Sequence, residues 1–159
     1  MSRSSFSVLI ALGSNLGDRA LFLRRAIHEL RGAVDVVRVS SFIETEPVDA
    51  PPGSPRFLNA VVAGATHLAP QPLLDALLAI EDERGRERPY PNAPRTLDLD
   101  LILYGDSVIE EPGLLVPHPR FRERRFVLEP LAEVAAELRD PVTGKTADQL
   151  LADLPGRAR

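Results

Sequence analysis

An α+β fold, its antiparallel or mixed sheet flanked by helices, is predicted by three features of the chain. Apolar runs of strand length recur, two amphipathic helical stretches separate them, and the order is strand, helix, strand, strand, helix, strand. That order is the split βαβ arrangement of a ferredoxin-like sandwich and not the strict alternation of a doubly wound sheet. No repeat of solenoid length interrupts it.

The first strand is the apolar run Ser7 to Leu12, broken by Gly13-Ser14-Asn15-Leu16-Gly17-Asp18. The next segment places Leu23, Ala26, Ile27 and Leu30 on one helical face, with Asn15 or Asp18 as its cap. Val34 to Ile43, rich in valine, reads as one second strand. It must end at Glu46 to Pro55, where four prolines and a glycine form a loop. Phe57 to Ala65 is the third strand. Pro70 and Pro72 open a second helix whose stripe runs Leu74, Leu77, Leu78 and then Glu81, an acid where an apolar residue is expected. Gly85 to Pro94 is a charged, proline-rich loop, and Leu97 to Tyr104 is a strand turned by Gly105-Asp106. Beyond it, Val108-Ile109 reads as a short edge strand and Pro112 to Pro119 as irregular. Arg125 to Leu138 reads as helical or mixed, interrupted at Pro130.

The 159 residues suit one domain, which at this length buries roughly 70% of its unfolded surface. Without cysteine the chain has no disulfide, thiolate catalyst or cysteine metal site. It has no signal-peptide pattern at Met1 to Ser7 and no apolar run of membrane length, so a cytoplasmic protein without membrane contact is expected. A net charge of −4 argues against coating nucleic acid. Arginines nevertheless gather at 84, 86, 88 and 95, and again at 120, 122, 124 and 125, which suits a small polyanion. Arginine also replaces lysine generally here, Lys145 being the only lysine, so each cluster has a compositional reading as well.

In Arg95-Thr96-Leu97-Asp98-Leu99-Asp100 the two acids stand two residues apart. In a strand they project from the same face, whereas on a helix they would diverge by about 200°. Aligned carboxylates repel unless something offsets them, and magnesium, which takes oxygen ligands and shares them with nucleotide phosphates, is the natural candidate. A solvated strand face, or pairing with arginines, would also account for the acids. Phosphoryl transfer needs cations around the remaining phosphates, which makes Arg86, Arg88, Arg95 and Arg124 candidate clamps. His118, between Pro117 and Pro119, has its direction fixed by rigid neighbours. His28 and His67 have no chemical neighbour that recommends them. Gly13 to Gly17 lacks the Lys-Ser or Lys-Thr ending of a P-loop and reads as a helix entry.

Four segments in this order, Leu12 to Asp18, Phe57-Leu58-Asn59-Ala60-Val61, Arg95 to Asp100 and Val116-Pro117-His118-Pro119, resemble the 6-hydroxymethyl-7,8-dihydropterin pyrophosphokinases. The match spans Val8 to about Glu133. The resemblance implies transfer of diphosphate from ATP to the pterin hydroxymethyl group in folate biosynthesis, by in-line attack on the β-phosphorus with release of AMP. It implies two magnesium ions on Asp98 and Asp100, and catalytic roles for these acids with Arg86 and Arg95. ATP would be bound by Arg86, Arg88, Arg95, Leu101, His118 and Arg124. The pterin would lie between Phe57 and Phe126, paired with Asn59, beside Thr45, Pro47 and Val48. Glu81 matches an acid that in the family lies near the site. The two proline-rich loops would close over the substrates, and a monomer or weak dimer is expected.

The sequence departs from some members at Asn92-Ala93, where those members have a tryptophan and a glycine; Tyr90 is the nearest aromatic. Two other readings have distinct signatures. A nucleotidyltransferase with the same acids would release diphosphate, and a ferredoxin-like RNA-binding module would need exposed aromatics and a basic face, which 5% aromatics and a net negative charge disfavour.

Overall fold

The computed structural model describes residues 5–15, 17–46, 53, 55–85 and 97–155, with the side chains of 84 and 85 excepted. Strand β1 (Phe6–Ser14) leads through helix α1 (Arg19–Leu30) to strands β2 (Asp35–Val39), β3 (Ile43–Thr45) and β4 (Phe57–Thr66). Helix α2 (Pro70–Gly85) and strand β5 (Asp98–Tyr104) follow. The main sheet runs β2-β4-β1-β5 with β3 also on β4, and every pairing is antiparallel. This is the expected split βαβ sandwich.

Alternation along the strands sorts the core onto two faces. Val8, Ile10 and Leu12 of β1, Ala60 and Val62 of β4, and Leu99 and Leu101 of β5 pack with Leu23, Ala26, Ile27 and Leu30 of α1 and Leu73, Leu77 and Ile80 of α2. Leu9, Val61, Ala63, Ile102 and Leu103 face the opposite side. A bulge carries Ile102 and Leu103 to the same face: the register steps from Leu9↔Leu103 to Ile10↔Leu101, so Ile102 is the extra residue.

Asp18 caps α1, its Oδ1 accepting from the Leu21 N–H at 3.1 Å. The expected stripe of α1 is the buried one. That of α2 is rotated by about one residue: Leu73, Leu77 and Ile80 are buried, while Leu78 is 46% exposed. With leucines at both 73–74 and 77–78, the pattern holds two overlapping stripes, and the sheet's shape selects between them.

The expected single strand over 34–43 is two strands. Between Val39↔Val62 and Ile43↔Asn59, residues 40–42 oppose only 60–61, so the chain bulges. Ser40 satisfies the ladder there: its N–H donates to the Val61 carbonyl at 2.9 Å and its Oγ accepts from the Val61 N–H at 2.8 Å. Gly64 lies under a second register shift, where a Cβ would come within 2.4 Å of the Asp35 carbonyl oxygen.

Residues 112–119 are more ordered than expected. Strand β6 (Ile109–Glu111) turns through Pro112 and Gly113 into strand β7 (Leu114–Val116), which buries Leu114 and Val116. A short alternating run of three residues has too little pattern to be read as a strand. A 3₁₀ turn (Phe121–Glu123) then precedes helix α3 (Arg125–Val134). Pro130 does not interrupt α3: only the bond to the Phe126 carbonyl is forfeited, and the helix, held by buried Val127, Leu128, Leu131 and Val134, continues to Val134. Helix α4 (Ala147–Asp153) closes this face behind a Thr146–Gln149 capping box. No helix among the described residues is long and apolar enough to cross a membrane.

Candidate active site

At one end of the sheet, the face that carries α3 changes character on three adjacent strands. Where Leu9, Val61 and Ile102 fill the core, the same face continues as Ala11 and Gly13 on β1, Asn59 and Phe57 on β4, and Asp100 and Asp98 on β5. Register places Gly13 between Asn59 and Asp98, and Ala11 beside Asp100. Small residues in the centre strand leave a cavity of about 490 Å³, roofed by Arg120, Glu123, Arg124, Arg125 and Phe126. That volume is typical of a small-molecule site.

Phe57 and Phe126 both line the cavity, one from the sheet and one from the first turn of α3. Asn59 is only 6% exposed; its Nδ2 donates to Thr45 Oγ1 at 2.6 Å, a bond that fixes the carboxamide plane. A Cβ on Gly13 would stand 3.3 Å from Asn59 Oδ1 and 3.6 Å from the Phe57 ring, so only glycine leaves this floor clear.

Asp98 and Asp100 are half-buried on one face of β5, and Leu99 between them points into the opposite core. Among the described residues β5 ends the sheet and the Leu99 N–H meets no neighbouring strand; it donates instead to Glu81 Oε2 of α2 at 2.6 Å. The unexpected acid of the α2 stripe therefore fastens the edge strand between the two carboxylates. Leu101 is buried in the α1–α2 core and does not line the cavity.

His118 is tied to β5 by its N–H, which donates to the Ile102 carbonyl at 3.0 Å. Its Nδ1 accepts from the Arg120 N–H at 3.1 Å, so the neutral ring carries its proton on Nε2. Burial lowers its pKa, and Arg124 and Arg120 lower it further against the opposing pull of Asp100. The ring is neutral at pH 7 and offers one donor. His28 and His67 are exposed, away from the cavity.

A charged network that sequence reading missed lies next to the cavity and joins its lining through Glu46. Arg19 Nη2 donates to Glu44 Oε2 at 2.7 Å, Arg56 Nη1 lies 3.3 Å from Glu44 Oε1, and Arg56 Nε pairs with Glu46 Oε2 at 2.6 Å. Hydrogen bonds from Arg19 and then Arg56 hold the Glu44 carboxyl below its usual pKa. Glu44 and Arg56 lie far apart in sequence, and only the β3–β4 pairing, Thr45 opposite Phe57, brings them together. Ala11 and Gly13 were legible in principle, since the alternation that buries Ile10 and Leu12 puts them on the other face.

The structure thus gathers Thr45, Phe57, Asn59, Asp98, Asp100, Arg124 and Phe126 around one cavity, with His118 beside Asp100. Arg86, Arg88, Arg95, Pro47 and Val48 lie outside the described residues, as does Tyr90. Among the described residues no group of three or more acidic, histidine or cysteine side chains could hold a metal alone. Two half-exposed carboxylates facing a cavity fit magnesium, which takes one or two carboxylates and completes its shell with water and phosphate oxygens.

Fold and site together give an α+β domain with an acidic strand end set against arginines and aromatic walls. Residues 9–136 match the model of the 7,8-dihydro-6-hydroxymethylpterin-pyrophosphokinase (HPPK) family, and the chain belongs to that family. A Bacillus subtilis 2-amino-4-hydroxy-6-hydroxymethyldihydropteridine pyrophosphokinase is 46% identical over 142 residues, covering 88% of this chain and 84% of that protein. A Pseudomonas aeruginosa protein of the same name is 43% identical over 150 residues, covering 93% and 91%. The crystal structure of wild-type Plasmodium falciparum HPPK-DHPS superposes with a TM-score of 0.76 over 95% of this chain and 45% of that longer one; at 14% identity this likeness shows the fold alone.

Proposed function

We propose that this chain transfers the terminal diphosphate of ATP to the hydroxymethyl oxygen of 6-hydroxymethyl-7,8-dihydropterin and releases AMP. The observation that carries the reading is the shared cavity: Asp98 and Asp100 stand on the same sheet face as Asn59 and Phe57, one strand apart, with Phe126 opposite. Membership of the HPPK family supports the same reaction.

In this reading the pterin ring lies between Phe57 and Phe126 over the bare floor at Gly13, and the fixed Asn59 carboxamide pairs with its amide edge. Thr45 holds that carboxamide, and Pro47 and Val48 complete the slot. Arg124, with Arg86, Arg88 and Arg95, offsets the negative charge of the phosphates, and His118 donates its Nε2 proton to a phosphate oxygen. Leu101 contributes through its backbone, since its side chain is in the core. Asp98 and Asp100 would hold two magnesium ions with ATP; when bound, these neutralise phosphate charge that the carboxylates alone would repel. The chain's own task is alignment, holding the hydroxymethyl oxygen in line with the β-phosphorus and away from water.

Incubating the protein with ATP, magnesium and 6-hydroxymethyl-7,8-dihydropterin, and following the nucleotides by phosphorus NMR, tests the reading. The expected products are AMP and the pterin diphosphate in equal amounts, only when pterin is present. Formation of ADP or of free diphosphate, or no pterin-dependent turnover, overturns it.

A further inference from the structure

The proposed chemistry makes no use of a buried ion pair behind the site. Asp140, whose side chain is 0% exposed, receives two hydrogen bonds from Arg122: Nη2 donates to Oδ1 at 2.9 Å and Nε to Oδ2. It also accepts from the Val142 N–H at 3.0 Å and the Thr143 hydroxyl at 2.8 Å. Burial alone would raise the Asp140 pKa, but the bonds from Arg122, Val142 and Thr143 outweigh it and hold the carboxyl below its usual value. The carboxylate is seated in a tight loop, its own N–H donating to the Lys145 carbonyl at 2.8 Å and its carbonyl accepting from the Gly144 N–H at 2.7 Å.

Arg122 lies in the middle of the 3₁₀ turn whose other polar residues, Arg120, Glu123 and Arg124, face the cavity. Apart from this pair, the stretch from Arg120 to Arg124 is held by local backbone bonds and by buried Phe121. It joins no sheet ladder, and neither the 3₁₀ turn nor the start of α3 has a side-chain cap. Its backbone bonds are local: Arg120 N–H to His118 Nδ1 at 3.1 Å, Phe121 N–H to the His118 carbonyl at 3.3 Å, Glu123 N–H to the Arg120 carbonyl at 3.0 Å and Arg124 N–H to the Phe121 carbonyl at 3.2 Å, with Phe121 buried and the Arg124 carbonyl accepting from the Val127 and Leu128 N–H groups of α3. The Arg122 guanidinium lies over the Phe121 ring, 4.9 Å from its centre. Phe126, in contrast, is carried by α3, which packs through Val127, Leu128 and Leu131 and is fastened by Glu133, whose carboxylate accepts from the Ser41 N–H at 3.0 Å and its hydroxyl at 2.9 Å.

We propose that the Arg122–Asp140 pair is the positioning device for the phosphate-facing turn, the loop after α3 gripping the turn from behind so that Arg120 and Arg124 face the cavity. Arg122 and Asp140 touch no substrate; they act through their neighbours. The inference rests on the functional reading above, in which this turn faces the triphosphate and Phe126 faces the pterin.

The test separates the two substrates. In Asp140→Asn, the Kd of a nonhydrolysable ATP analogue with magnesium, measured by calorimetry, should rise roughly 10-fold, the loss of a well-placed charge-assisted bond. Pterin affinity should stay within about twofold, because α3 is held independently. Unchanged ATP affinity in the folded variant, or equal weakening toward both substrates, overturns the proposal. The pair Arg122→Met with Asp140→Asn removes the bidentate fork and both charges while the asparagine oxygen still accepts from the Val142 N–H, which protects folding. It should show the same ATP-selective loss, since packing without the bidentate fork does not fix the turn; wild-type ATP affinity there would also overturn it. Asp100→Asn, assayed for turnover alongside, tests the reaction assignment separately, because analogue binding reads the turn without chemistry.

Discussion

The two faces of the sheet are built from the same strands by the same alternation, yet one is closed and the other is open at one end. On the α1–α2 face, apolar residues of all three strands pack together: Val8, Ile10 and Leu12 of β1, Leu58, Ala60 and Val62 of β4, and Leu99 and Leu101 of β5. On the α3 face the pattern holds at one end with Leu9, Val61 and Ile102, then gives way to Ala11, Gly13, Asn59, Asp98 and Asp100. The site is the place where three neighbouring strands stop burying large apolar groups together. A single strand with polar residues at its end would be a solvated edge; three in register make a pocket.

The difference should appear as a split between stability and turnover. On the closed face, Leu23→Ala should lower unfolding stability by roughly 2–5 kcal/mol in urea titrations, with KM for both substrates unchanged in the folded fraction. On the open face, Asp98→Ala should reduce kcat by about 100-fold or more, the scale of removing one preorganised electrostatic group, while its melting temperature stays close to wild type. A large loss of stability in Asp98→Ala would erase the contrast. Gly13→Ala sharpens it: Asn59 is pinned by Thr45 and has little room to yield, so pterin KM should rise about fivefold, an overpacking cost near 1 kcal/mol, with ATP KM unmoved.

Two smaller effects probe the rims. The Asp140 carboxyl has a folded pKa below its unfolded one, so its contribution to stability is full above the unfolded value and is lost as pH falls through the folded value. Acid unfolding of Asp140→Asn should accordingly show a shallower pH dependence below about pH 4 than wild type. Arg56→Ala removes two exposed ion pairs, one of them to the cavity-lining Glu46, with Arg56 itself 58% exposed, and should shift pterin KM by less than about fivefold. Its effect should shrink further in high salt.

Elements with a long, clean pattern were readable directly: β1, β4, β5 and α1 lie close to their expected positions, as does the Asp98–Asp100 pair on one strand face. Elements with a doubled or short pattern were not. The α2 sequence carries two leucine stripes, the valines of 34–43 conceal a bulge, and the three-residue strand β7 has too few residues to alternate. Pro130 looked like a break because its missing N–H was visible and the packing that outweighs it was not. Phe57, Asn59 and Phe126 became site candidates only through resemblance; taken alone, the two phenylalanines read as core residues and Asn59 as satisfying a neighbouring backbone group.

The sequence by itself determined which faces would be apolar, because side-chain direction in a strand or helix follows from local periodicity. It also supplied the acids, arginines and motifs that mark a phosphate-handling enzyme. Only the tertiary structure decided how those faces met: that Glu81 would reach the Leu99 N–H, that Glu44 would sit between Arg19 and Arg56, and that Asp140 would grip Arg122 from behind the site. Each of these is a contact between residues distant in the chain. No local pattern encodes such a partner, because it is fixed by how the elements pack and not by how each one forms.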